Sequence, residues 1–126
     1  MTIVLLNSCF VTKSRDPVQR SDPFLRLGVA SIAAYLREHG FEVAVLDPQV
    51  DGLDASATAR RIADQTPRYV GLPAYTEEVH DAADIAGELK RIDPEIIIVA
   101  GGYHVSALPE ETLEEFAAFD IAAIGE

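Results

Sequence analysis

Tryptophan is missing from this sequence, and cysteine and methionine occur once each. A lone cysteine, Cys9, leaves no partner for an internal disulfide, and no Cys/His group has the spacing of a zinc site. Cysteine usage therefore favours a reducing compartment, and the chain is expected to be soluble and cytoplasmic. Basic residues are scarce: 10 Lys and Arg stand against 21 Asp and Glu, a formal net charge of -11. A field of that sign repels phosphate and anionic lipid, so neither nucleic acid nor a membrane surface is an expected partner. The acidic residues are spread among helices and not gathered in a tail, which reads as solvated surface. Long apolar runs are absent too. Residues 3–6 are too few for a secretory core, and nothing approaches the ~18 apolar residues of a membrane span.

What is present is a regular alternation of short apolar runs and amphipathic stretches. The 126 residues, 48% hydrophobic, are enough for one domain with a proper core and too few for two. Residues 3–6 read as a buried strand, followed by about twenty residues, 7–26, with Pro17 and Pro23. A loop that long inside a compact domain is usually functional or mobile. Val29, Ile32, Ala33 and Leu36 then mark a helix face, closed by Gly40. Tyr35 and Phe41 are expected in the core. Residues 42–46 give a second strand, and Asp54 is a candidate N-cap for a helix running to about Gln65. Residues 69–72 give a third strand. Thr76 is the expected N-cap of the next helix, with Glu77 and Glu78 complementing its dipole and Val79, Ala82, Ala83, Ala86 and Leu89 buried. A fourth strand over residues 96–100 runs into Gly101-Gly102 and a short polar loop. Pro109 opens another helix, with Glu110 and Glu111 in its first turn and Leu113, Phe116 and Ala117 inward. Residues 121–124 form a fifth strand.

This βαβαβαβαβ order predicts a three-layer, open, doubly wound parallel five-stranded sheet of Rossmann-like or flavodoxin-like type. Ligands of such sheets sit at the carboxyl edge of the strands. Several occupants are excluded by missing motifs. The position of a dinucleotide Gly-x-Gly-x-x-Gly reads Asn7-Ser8-Cys9-Phe10, no P-loop occurs, and the acids and lysine of a receiver domain are lacking. A flavin carrier is disfavoured by the absence of a Ser/Thr/Gly-rich phosphate loop after the first strand. Two adjacent glycines at residues 101 and 102 either shape a turn or let a bulky ligand approach the backbone.

The ordered set Pro23...Leu27-Gly28-Val29-Ala30, His39-Gly40-Phe41-Glu42-Val43, Val70-Gly71-Leu72-Pro73-Ala74-Tyr75-Thr76, Ala100-Gly101-Gly102-Tyr103-His104-Val105-Ser106 and Ile124-Gly125-Glu126 resembles the amino-terminal cobalamin (B12)-binding domain of B12-dependent radical SAM enzymes. The resemblance covers nearly the whole chain. It implies one cobalamin-binding module, residues 1–126, holding base-off cobalamin whose nucleotide tail enters the carboxyl edge. The site residues so implied are Pro73, Tyr75, Thr76, Gly101, Gly102, Tyr103, His104 and Ser106, with no catalytic residue and no metal ligand. Departures from the family pattern are Pro73, where Ser is frequent, and Tyr103, where Pro is frequent. The Asp-x-His-x-x-Gly of mutase-type domains is lacking, and no His occurs between Asn7 and Arg26, so a cobalt ligand from that loop is not expected. His39 and His80 are expected on helix surfaces, and Cys9 as a small apolar residue near the lower corrin face.

One cysteine cannot make the Cys-x-x-x-Cys-x-x-Cys of a radical SAM cluster. The stop straight after a strand leads to the expectation of a fragment. Its partner would be a downstream radical SAM domain carrying a 4Fe-4S cluster and S-adenosylmethionine. The reaction the resemblance implies is methyl transfer through cobalamin to an unactivated carbon or phosphorus, or a related rearrangement. The alternative is a B12-free α/β domain kept for structural or partner-docking reasons. Gly102→Val is expected to abolish cofactor binding and leave the fold intact.

Overall fold

The computed structural model describes residues 1–11 and 24–125; Pro17 and Pro23 of the first loop, and Glu126, lie outside them. Five parallel strands make one sheet: β1 (Thr2–Leu6), β2 (Glu42–Leu46), β3 (Tyr69–Pro73), β4 (Ile97–Gly101) and β5 (Ile121–Ala122), in the order β2-β1-β3-β4-β5. The doubly wound parallel fold expected from the alternation of elements is the one observed. Strand order reverses between β1 and β3, which pair through Ile3–Tyr69, Val4–Val70 and Leu5–Gly71. Their carboxyl ends are therefore the switch point.

Side chains alternate across the sheet, so each strand feeds two cores. Val4, Leu6, Val70, Leu72, Ile98 and Ala100 form the larger one with helices α3 (Ala55–Ala63) and α4 (Val79–Ile92). Ile62, Ile85 and Leu89 are fully buried there. Asp54 caps α3 as expected, accepting from the Ala57 amide at 2.7 Å. The opposite face carries Ile3 and Leu5 under α1 (Leu27–Glu38), through Ala33, Val29 and Leu36.

Two expectations for α1 are corrected. Ile32 is 53% exposed and Tyr35 is 62% exposed. Tyr35 lies one residue off the inward stripe and stacks on His39 at 4.1 Å instead. Phe41 is partly buried against the smaller core. Ala117 is exposed, whereas Leu113 and Phe116 pack inward. Two short helices were not foreseen: α2 (Pro48–Asp51), capped by Asp47, and α5 (Tyr103–Ala107), where a loop was expected. The final helix, α6 (Pro109–Glu115), has Pro109 at its start.

Candidate functional site

The carboxyl edge gathers the segments after β1, β3, β4 and β5. Beside it, on the α1 face, lies an apolar slot of about 480 Å³. Its floor is Ile3 and Leu5 of β1, Gly71 and Pro73 of β3, and Val99 and Gly101 of β4; α1 contributes Val29, Ile32 and Leu36. Tyr75 and Gly102 stand at the rim. Sequence periodicity put Ile32 in the core, but its side chain is half-exposed because α1 covers β1 and β2 and leaves β3 and β4 open on this face.

The two glycines do different work. Gly102 has φ +106, a region that side chains rarely adopt, and a Cβ there would lie 3.1 Å from Tyr75 Cδ1. Gly102→Val is thus strained in the fold itself, and the expectation that it leaves the fold intact is corrected. Gly101 is in β4 with no such constraint; a Cβ there would make an ordinary 3.7 Å contact with Ala123. Larger groups at 101 would enter the slot that it lines. Gly71, which the sequence did not single out, serves packing within the sheet: a Cβ there would come within 2.6 Å of Leu5 Cδ2, so the missing side chain makes room for Leu5.

The structure brings the remaining expected residues together at the rim. Tyr75 and Tyr103 stack at 5.2 Å, and Tyr103 is 79% exposed. His104 Nδ1 lies 3.3 Å from Thr76 Oγ1, joining the segments after β3 and β4. Ser106 Oγ accepts from the Gly125 amide at 3.0 Å, tying α5 to the segment after β5. Thr76 is not the N-cap of α4; that position is Glu78. Pro73 ends β3 and faces the slot, where its ring adds hydrocarbon to the wall.

Glu78 is the largest departure from expectation. Dipole complementation accounted for it as a surface residue, yet it is fully buried. Its carboxylate accepts from Arg26 Nη1 at 2.5 Å, the Cys9 amide at 2.9 Å and the Ser8 hydroxyl at 3.4 Å. Arg26 in turn lies 4.4 Å over the Tyr75 ring. Asn7 accepts from the Arg26 amide at 2.7 Å and donates to Phe24 O and Asp47 Oδ2, at 2.7 and 2.8 Å. Both described ends of the first loop are thereby pinned to the rim aromatic. The sequence holds one clue: a basic residue immediately before a helix opposes its dipole, so Arg26 needs a partner elsewhere.

Cys9 is wholly buried, and its thiol is pushed well above the ordinary value by desolvation and then by the nearby Glu78 carboxylate. The folded state keeps this proton while the unfolded chain loses it above pH ~8.5. Stability is then expected to fall as pH rises past that point, by up to about 1.4 kcal/mol per pH unit from this group. Urea unfolding of the wild type and Cys9→Ala between pH 7 and 10 checks this. The variant should lose that part of the alkaline slope; identical slopes would show that the thiol does not contribute.

Among the described residues no cluster of three or more His, Cys, Asp or Glu is placed to hold a metal ion, and no helix is long and apolar enough to cross a membrane. The fold and the edge define an open α/β domain of ligand-binding type, with an apolar slot beside the switch point of its sheet. Residues 22–126 match the B12 binding domain model, and the chain belongs to that family. It is similar to an uncharacterized methyltransferase of Pyrococcus horikoshii, 34% identical over 100 residues, which are 79% of this chain and 22% of that protein. It is also similar to the anaerobic magnesium-protoporphyrin IX monomethyl ester cyclase of Rubrivivax gelatinosus, 28% identical over 99 residues, 78% of this chain and 18% of that protein. The chain thus spans about a fifth of the length of these relatives.

Proposed function

We propose that this domain holds cobalamin base-off, with the nucleotide tail in the slot between β1, β3, β4 and α1, for a radical SAM methyltransferase or a related enzyme. The observation that carries the reading is the slot itself: an apolar cavity opening at the switch edge, kept clear at Gly101. When bound, cobalamin would supply a cobalt centre able to carry a methyl group. This chain's residues bind and orient it. The slot takes the tail's ring, and the edge formed by Tyr75, Thr76, Tyr103, His104 and Ser106 offers hydrogen-bonding groups to amides, phosphate and ribose. His104 serves there as a hydrogen-bonding residue held by Thr76. The first loop holds no His between Asn7 and Arg26, so the lower cobalt face takes no imidazole from it.

The two relatives support a larger enzyme around such a domain, because one is named a methyltransferase and the other a cyclase, and each is several times longer. In that enzyme a downstream radical SAM domain would bring the 4Fe-4S cluster and S-adenosylmethionine. The purified protein is expected to retain corrin absorbance after incubation with hydroxocobalamin and desalting, with a base-off visible spectrum. Loss of all corrin absorbance on desalting would sink the reading and favour a B12-free docking domain.

A further inference from the structure

We infer that the slot discriminates among forms of the cofactor by the base that ends the nucleotide tail, accepting an apolar benzimidazole and disfavouring a purine. This rests on the cobalamin reading above. Of the described residues that line the slot, Tyr69 and Tyr75 alone carry a polar side-chain atom. Leu5, Val29, Ile32 and Val99 present only hydrocarbon. The main chain beneath is occupied as well, since Tyr69, Val70 and Gly71 pair with β1 on one side and β4 on the other. Tyr75 is committed at the rim by its stack on Tyr103 and by the Arg26 guanidinium over its ring.

A purine brings an exocyclic amine and ring nitrogens that water satisfies outside. In this wall they would be desolvated with at most a tyrosine hydroxyl as partner. Leaving one buried polar group unpaired weakens binding by about tenfold, and two by more. A dimethylbenzimidazole has no such groups along its outer edge, and its methyls gain from the same apolar wall. The selectivity arises from Pro73, Val99 and the α1 residues together, through what they do not offer.

Equilibrium dialysis of the purified protein against three probes tests this: cobalamin, the cobamide with an adenine base, and cobinamide, which lacks the nucleotide tail. The expected order is cobalamin tightest, the adenine form weaker by about tenfold or more, and cobinamide weaker than cobalamin. Val99→Thr, which places a hydroxyl in the wall, is expected to narrow the ratio between the two bases. Equal affinity for the two bases overturns the inference and leaves the cobalamin reading standing, whereas cobinamide binding as tightly as cobalamin overturns the inference together with the placing of the tail in the slot. Binding of none of the three removes the reading itself, and the inference with it.

Discussion

Replacing Glu78 by alanine is expected to lower the unfolding free energy by about 3–5 kcal/mol, the loss typical when one member of a buried ion pair is removed. The partner left behind is Arg26, 9% exposed and unable to shed its charge. Two other donors, the Cys9 amide and the Ser8 hydroxyl, lose their acceptor at the same time. For a domain whose total stability is of order 5–15 kcal/mol, this is a large fraction, and the melting midpoint should drop by more than about 10 °C. The double replacement Arg26→Met with Glu78→Leu is expected to recover much of the loss, because it removes both charges. Urea titrations of the wild type and these two variants measure this. A loss below about 1 kcal/mol for Glu78→Ala would mean that water reaches the pair and that it behaves as a surface ion pair.

Gly101→Val is expected to do the reverse, leaving stability nearly unchanged while abolishing cofactor retention. A β-branched residue suits a strand, and the nearest atom to its Cβ is Ala123 Cβ at 3.7 Å. Its methyls would occupy the slot. Excluding a ring that buries about 150 Å² forfeits about 4 kcal/mol at ~25 cal/mol per Å², close to a thousandfold in affinity. Thermal unfolding and hydroxocobalamin titration of the same preparation separate the two effects. Unchanged affinity would show that the tail does not pass over β4. Gly102→Ala is the instructive contrast: with φ +106 and Tyr75 at 3.1 Å, it should lose stability and binding together.

The difference between these two glycines was invisible in the sequence, where they are neighbours in one turn. Both follow an apolar run, and both lack a Cβ; only the backbone at 102 and the space at 101 tell them apart. The same holds for Glu77 and Glu78. Adjacent acids ahead of a helix read alike, yet one is exposed and the other is fully buried, where Ser8, Cys9 and Arg26 bond to it. Arg26 and Glu78 are 52 residues apart, and no local pattern joins them. Tyr35 shows the opposite failure, where counting apolar positions widened the stripe by one residue beyond what the sheet covers.

By itself the sequence determined the order of the five strands, the four helices other than α2 and α5, and the parallel sheet with its carboxyl edge, since periodicity and turn chemistry are local properties. Its motifs also named the rim: Tyr75, Thr76, Tyr103, His104 and Ser106 do converge there. Tertiary structure alone decided that an apolar slot opens beneath that rim and that a buried Arg26–Glu78 pair braces it. The reason is physical. A cavity and a buried ion pair are made by segments distant in the chain meeting across a sheet, and their energies depend on what each excludes from water.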